Sequence, residues 1–304
     1  MNTVVILLST YNGEKYLKEQ IDSLLNQKGV DIKILARDDG SKDSTVSILS
    51  EYERLNANFS YYQGTNCGPA KSFLHLITHA DSADYYAFCD QDDVWDEDKL
   101  LSAINRLNKL NSKKPNLYYS NLRIVDEHLN FYRLSHSWNF HNDNKYSALT
   151  ENLCTGCTAV FNRKAKELIA QRLPDYCTMH DTWIYMICML MGNTIYDKDA
   201  HISYRQHSSN VVGTYLKKRR TKVMFEKVKR LFNKELQPRY LNAINFYECF
   251  NDVMDSECKS KVLEIVNYKN SFKDRMKLFF DNDIKATTGY GNLRFRLHIL
   301  WGTV

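Results

Sequence analysis

Apolar and polar positions alternate along the first hundred residues with two periods. Residues 3–9 (TVVILLS) are a short β-branched apolar run stopped by polar residues, the pattern of a buried strand. Residues 14–27 then place Tyr16, Leu17, Ile21, Leu24 and Leu25 at helical spacing. The same pair of signals recurs three times. A strand over 31–36 precedes a helix carrying Val46, Ile48, Leu49 and Tyr52, with Asp43 or Ser44 as its cap. A strand from Phe59 to Tyr62 precedes a helix opened by Gly68-Pro69 and bearing Phe73, Leu74 and Ile77. A strand from Tyr85 to Cys89 precedes a helix over roughly residues 96–110. Strands alternating with helices through short connections predict an α/β fold, a mostly parallel sheet with helices on both faces. In such sheets ligands bind beyond the carboxyl ends of the strands. Three polar clusters fall there: Ser9-Thr10-Tyr11-Asn12, Asp38-Asp39-Gly40 and Asp90-Gln91-Asp92-Asp93. They are expected to meet on one rim.

Between residues 115 and 212 the pattern is mixed. Strands are expected at Leu117–Tyr119, Thr158–Phe161, Thr194–Tyr196 and Ile202–Arg205, and helices at 163–171 and 181–191. Beyond Thr214 the spacing turns helical, with breaks near Gln237-Pro238 and Gly289-Tyr290-Gly291. Charge changes at the same place. Residues 1–213 carry 22 Lys and Arg against 26 Asp and Glu, whereas residues 214–304 carry 19 against 10. This predicts a domain over 1–213 and a basic, helical carboxy-terminal region over 214–304. In that region Lys217-Lys218-Arg219-Arg220, Lys222, Lys227, Lys229, Arg230 and Lys234 flank Val223, Phe225, Val228, Leu231 and Phe232. The segment reads as a membrane-surface helix, and Arg294–Trp301 (RFRLHILW) adds an aromatic end; the alternative is the solvated face of a packed helix.

The run Val4–Leu8 has no basic leader, and the run from Trp183 to Met191 is about half of the ~20 apolar residues a spanning helix needs. A cytoplasmic chain, peripheral on the inner face of the membrane, is therefore expected. The eight cysteines include apolar contexts such as Phe88-Cys89 and Ile187-Cys188, which suit reduced thiols packed as small hydrophobes.

Three carboxylates lie within four residues at Asp90-x-Asp92-Asp93. Crowded anions are stabilised by a shared cation. Mg²⁺ and Mn²⁺ prefer oxygen ligands, and such an ion would act as a Lewis acid on a departing diphosphate. The alternative is an acidic helix N-terminus that complements the dipole. A carboxylate at Asp38-Asp39 can accept the N3–H of uracil or thymine, or bond a ribose hydroxyl; it can equally be a turn with a cap. Cys154-x-x-Cys157 and Cys177-x-x-His180 approach a zinc-ribbon spacing. Against zinc, Thr158–Phe161 reads as a strand entering a core.

The ordered set Ser9-Thr10-Tyr11-Asn12, Asp38-Asp39-Gly40-Ser41-x-Asp43-x-Thr45, Asn66-x-Gly68 and Asp90-Gln91-Asp92-Asp93-Val94-Trp95 resembles glycosyltransferase family two, inverting enzymes with a GT-A fold. The resemblance covers roughly residues 3–212. With Tyr204-Arg205-Gln206-His207-x-x-Asn210-Val211-x-Gly213 downstream, the chain is similar to the rhamnosyltransferase-like bacterial branch that builds surface polysaccharides. The resemblance implies that Ser9, Thr10 and Asp39 line a base and ribose pocket, with Tyr11, Asn12 and Asp38 close by. Asp90 would lie near the ribose, and Asp92 and Asp93 near a Mg²⁺ or Mn²⁺ ion and the diphosphate. Lys71 stands where relatives carry an arginine that touches the nucleotide. Met179-His180-Asp181-Thr182-Trp183 matches the segment that opens a helix with the base, so Asp181 is the expected catalytic base; the alternative is a helix cap. Trp183 is expected on a sugar face or in the core. Arg205 would hold the diphosphate or acceptor, His207 would join the metal, with a purely structural histidine as the alternative, and Gly156-Cys157-Thr158 would line the acceptor cleft.

The implied partners are a dTDP- or UDP-linked sugar donor, dTDP-rhamnose first, and a glycan or polyprenyl-diphosphate-linked acceptor. The sequence shows no recognised nucleic-acid module. A non-catalytic binder of nucleotide sugar or glycan is the alternative reading.

Overall fold

A computed structural model describes residues 1–135, 144–207 and 237–304. The expected alternation is present as β1 (Thr3–Thr10), α1 (Leu17–Leu25), β2 (Asp31–Asp38), α2 (Thr45–Leu55), β3 (Phe59–Gln63), α3 (Pro69–His79) and β4 (Tyr85–Cys89). The mixed middle holds β5 (Val94–Trp95), α4 (Lys99–Leu107), β6 (Asn116–Val125), β7 (Phe131–Leu134), β8 (Val160–Asn162), α5 (Arg163–Gln171), α6 (His180–Met191) and β9 (Asn193–Arg205). A 3₁₀ turn at Gly156–Thr158 enters β8. After the undescribed stretch come α7 (Pro238–Phe250), α8 (Ser256–Asn267), α9 (Phe272–Phe280) and α10 (Gly289–Trp301).

The strands form one sheet in the order β3-β2-β1-β4-β8-β6-β9-β5, with β7 beside β6. The half from β3 to β4 is parallel, as expected. The other half is mixed: β8 runs antiparallel to both β4 and β6, while β6 and β9 run parallel. The two strands expected at 194–196 and 202–205 are one, β9. The register of β6 against β9 shifts twice: between Ser120 and Asn121 it passes over Lys198 and Asp199 of β9, and between Asn121 and Arg123 β9 holds one residue more than β6.

Side chains alternate across each strand, so β1 feeds two cores. Val5 and Leu7 pack with Phe73, Phe88 and α6 on one face; Val4, Ile6 and Leu8 pack with α1, α2 and α4 on the other. Helix α6 is buried nearly all round, from Trp183 to Leu190. The carboxy-terminal helices join its core: Trp183 is fully buried, with its ring centroid 5.7 Å from that of Phe246 and 5.9 Å from that of Phe250. Trp183 is thus a core residue and not a sugar platform. Among the described residues no helix is long and apolar enough to cross a membrane. The basic run Lys217–Lys234 and the motif residues Asn210, Val211 and Gly213 lie outside the described residues.

Candidate active site

The parallel register aligns the strand ends, pairing Thr10 with Asp38 and Leu8 with Cys89. The three polar clusters therefore do share a rim. Asp38 is buried and acts as a turn anchor: its Oδ2 accepts the Gly40 and Ser41 N–H groups at 3.1 and 2.9 Å, and its Oδ1 accepts from the Ser41 and Thr10 hydroxyls. Asp39, also buried, accepts from the N–H groups of Cys67 and Gly68 at 3.0 and 2.9 Å. Arg37 lies 2.5 Å from Asp39 Oδ1 and also donates to Ser72 and the Thr65 carbonyl. Burial raises the Asp39 carboxyl, but the Arg37 guanidinium and the N–H donors outweigh it and hold the group below its usual range. Ser9 shares a 2.6 Å hydrogen bond with Ser72.

Tyr11 is 45% exposed at the rim, and Asn12 takes a positive φ of 49°. Gln91 clamps this turn to the acidic loop: the Tyr11 N–H donates to Gln91 Oε1 at 2.8 Å, and Gln91 Nε2 donates to the Tyr11 carbonyl at 3.0 Å. Asn12 is fixed in turn, donating its N–H to Ser41 and accepting from the Lys42 N–H. Lys71 stands exposed on the first turn of α3, and its charge is felt at Cys177.

The acidic loop divides its side chains. Asp92 reaches the surface and lies 2.8 Å from His207 Nε2, with the two side chains 13% and 11% exposed. Asp93 points inward, is fully buried and accepts the Arg205 backbone N–H at 3.1 Å. Asp90 lies between them in environment, half-buried at the strand end. Burial, then Asp92 and Asp181, push its carboxyl up to about 7. Burial and the neighbouring carboxylates push Asp93 up as well. Such crowding is what an added cation relieves. Asp92 and His207 offer an oxygen and a nitrogen at the surface, a donor pair that fits a divalent ion.

Asp181 opens α6 facing this loop, close enough for its charge to act on Asp90. Its Oδ2 accepts the Gly156 N–H at 3.2 Å and its Oδ1 the Thr182 N–H at 2.6 Å. Burial raises its carboxyl to about 6. The preceding His180 stacks on Phe73 at 3.8 Å and meets Phe88 edge-on, which fixes the start of the helix.

One expectation changes, and one disfavoured alternative drops out. Arg205 is buried, with its guanidinium spent on the Asp92 carbonyl, the Glu127 carbonyl and Glu19, and stacked on Tyr16 at 4.5 Å. It faces the protein and not the cleft, tying β9 and α1 to the acidic loop. The zinc arrangement does not assemble: Cys154, Cys157, Cys177 and His180 form no common ligand group among the described residues. All eight cysteines are free thiols. Cys157 lies beside Asp93, and the His180 ring is enclosed by aromatics.

Arg37 and Gln91 were not singled out from sequence. Arg37 left one signal, a cation directly before the Asp38-Asp39 pair. Gln91 carries none that is local.

The half-parallel sheet that gathers carboxylates at its strand ends, facing an acid at a helix start, has the GT-A glycosyltransferase fold. The chain belongs to glycosyltransferase family 2: the Glycosyl transferase family 2 pattern matches residues 5–169. It is 31% identical over 230 residues to the dTDP-rhamnosyl transferase RfbG of Shigella flexneri, covering 68% of this chain and 73% of that protein. It is 28% identical to an uncharacterized glycosyltransferase, RT0329, of Rickettsia typhi, over 70% of this chain and 67% of that protein. Solved structures share the fold. S. aureus TarS 1-349 in complex with UDP-GlcNAc aligns with a TM-score of 0.54 at 17% identity, over 93% of this chain and 77% of that one. The mannosyltransferase PcManGT from Pyrobaculum calidifontis, in complex with GDP-Man and Mn²⁺, aligns with a TM-score of 0.53 at 15% identity, over 98% and 85%.

Proposed function

We propose that this glycosyltransferase moves a hexosyl group, rhamnosyl first, from a dTDP- or UDP-linked donor to a hydroxyl of a glycan or polyprenyl-diphosphate-linked acceptor, with inversion, in bacterial surface polysaccharide synthesis. The observation that carries the reading is the meeting of Asp39, Asp90 and Asp92 on one rim with Asp181 near enough to raise Asp90. The 31% identity to a dTDP-rhamnosyl transferase supports the choice of sugar. The GDP-Man and Mn²⁺ bound to a structural neighbour support a metal-assisted nucleotide-sugar site.

In this reading Ser9, Thr10 and Asp39 shape the base and ribose pocket, Tyr11 and Asn12 form its lip, and Asp38 anchors the turn below. Asp90 approaches the ribose, and Lys71 is the cation offered to the diphosphate. Asp92 and His207 hold Mg²⁺ or Mn²⁺, and Asp93 supports them from beneath. When bound, the ion supplies Lewis-acid stabilisation of the diphosphate oxygens. Asp181 accepts the acceptor's hydroxyl proton as that oxygen attacks the anomeric carbon from the face opposite the nucleoside diphosphate. The leaving group departs and the configuration inverts. Arg205 keeps His207 and Asp92 in register.

A lipid-linked acceptor is met at a bilayer, and the surface of α9 and α10 suits an anionic one. Phe272, Phe280, Tyr290, Leu293, Leu300 and Trp301 are exposed there. Residues 284–304 contain Lys285, Arg294 and Arg296 and no Asp or Glu.

The test is a panel of dTDP- and UDP-hexoses with Mn²⁺ or Mg²⁺, read by thermal stabilisation and by release of nucleoside diphosphate. Metal-dependent turnover of dTDP-rhamnose is expected. Turnover of other donors alone would replace the sugar, and binding without any turnover would overturn the catalytic reading.

A further inference from the structure

Main-chain pairing between β1 and β4 stops at Leu8 and Cys89. Beyond it β1 runs on into the turn of Tyr11 and Asn12, and β4 into the acidic loop. Gln91 bridges the two with its side chain. Its Oε1 accepts the Tyr11 N–H at 2.8 Å, and its Nε2 donates to the Tyr11 carbonyl at 3.0 Å. One amide thus meets both backbone groups of one residue, as a neighbouring strand would. The demand on residue type is narrow: a glutamate would lack the donor, and an alanine both groups.

The far side of the turn is fastened to the loop after β2. The Asn12 N–H donates to Ser41 Oγ and the Gly13 N–H to Thr45 Oγ1, each at 2.8 Å. The Lys42 N–H donates to Asn12 Oδ1 at 2.8 Å, and the Glu14 N–H to Asp43 at 3.1 Å. Gln91 ties this assembly to the acidic loop, where Asp92 follows it in the chain. The contact is close. Gly13 is buried, and a Cβ there would lie 2.6 Å from Gln91 Cδ and 3.2 Å from Nε2. Gly13 does not take a positive φ. A side chain at that position would therefore be opposed by the Gln91 amide and not by the backbone.

We infer that Gln91 is a positioning residue that couples the nucleotide lip to the metal-bearing end of the acidic loop. The inference rests on the proposed placement of the nucleotide at Tyr11 and Asn12 and of the divalent ion at Asp92. Coupling between two sites is reciprocal. An ion that fixes the acidic loop holds the Tyr11 turn in place, and a nucleotide that fixes the turn steadies Asp92.

The experiment compares Q91A, G13A and G13A/Q91A with the parent. It reads amide exchange around Tyr11 with and without Mn²⁺, and calorimetry of dTDP and UDP. In the parent, Mn²⁺ alone should slow exchange at Tyr11, whose N–H the amide holds. Q91A should abolish that slowing at a parental melting temperature. It should also weaken nucleotide binding in Mn²⁺ by about tenfold, the scale of two ordinary hydrogen bonds, and raise donor KM more than it lowers kcat. G13A, which displaces the amide from the other side, should do the same. The double variant should resemble Q91A, since the added methyl group then meets no amide. A packing role would instead lower the melting temperature of Q91A and leave the response of Tyr11 to Mn²⁺ intact. No response of Tyr11 to Mn²⁺ in the parent, the same response in Q91A, or losses that multiply in the double variant would overturn the inference. Should G13A fail to fold while G13A/Q91A folds, the contact is supported. A parent that binds neither dTDP nor UDP would instead refute the nucleotide-sugar reading itself.

Discussion

Asp181 illustrates how one carboxylate acquires a base's properties. Burial moves its carboxyl up to about 6, while the Gly156 and Thr182 N–H groups keep the ion oriented. A base works only when deprotonated, so kcat/KM should rise with pH through about 6 and level off above it. A profile flat down to pH 5 would exclude Asp181. Asp181→Asn should lower kcat by about 10²- to 10⁴-fold and spare donor affinity measured by calorimetry. Its candidacy came from the resemblance of Met179–Trp183 to the family segment that opens a helix with the base; the residues alone allow a helix cap equally. The rim positions of Asp38, Asp39, Asp90 and Asp92 were legible because each follows a short apolar run. What stayed hidden depends on distant partners. Arg205 reads as a free cation at a strand end until Glu19, 186 residues away, and Glu127 are brought to it. Gln91 looks like a spacer until Tyr11 closes on it from 80 residues upstream.

At the level of elements, the 3₁₀ turn Gly156–Thr158 and the start of α6 are mutually dependent. A Cβ on Gly156 would come within 2.7 Å of His180 Nε2 and 3.5 Å of Asp181 Cβ. His180 cannot retreat readily, being packed between Phe73 and Phe88. Gly156→Ala should therefore destabilise the fold by about 1–3 kcal/mol and depress kcat together, read by thermal melts and steady-state rates. An alanine variant with parental melting temperature and rate would show that the turn yields freely. Helix α5 was readable to its ends, since Asn162 caps it by accepting the Ala165 N–H at 3.1 Å. The two-residue β5 and the β6–β7 hairpin were not. Val94-Trp95 is too short to show a period, and it becomes a strand only by pairing with Ser203 and Ile202 of β9. The reversed direction of β8 is likewise set by its neighbours β4 and β6 and not by its own three residues.

Across the whole molecule, the basic surplus of the sequence falls in residues 214–304, and among the described residues several exposed large apolar side chains lie on α9 and α10. Helices α9 and α10 lie against each other, with Arg296 donating to the Leu278 carbonyl at 3.0 Å and Arg275 to the Leu300 carbonyl at 3.5 Å. Two of the nearby acids, Asp281 and Asp283, are taken up by Lys261 at 2.6 Å each. Basic side chains near an anionic surface gain roughly 1 kcal/mol each, and salt screens that gain. The protein should therefore float with vesicles containing anionic lipid, less so in high salt, and weakly or not at all with purely zwitterionic ones. Leu293→Asp combined with Trp301→Asp should reduce flotation while leaving turnover of a water-soluble acceptor near the parental rate. Unaltered flotation of that pair would move the contact elsewhere, and equal binding to both lipid types would remove the electrostatic part.

The insertion of Phe246 and Phe250 against Trp183 has a practical outcome for anyone trimming the gene. A chain stopped short of Pro238 would leave a large indole, sited two positions past Asp181, facing water where it had aromatic neighbours. Such a fragment would keep every acidic strand end yet should aggregate on expression, and its catalytic helix would lack the backing that holds it still.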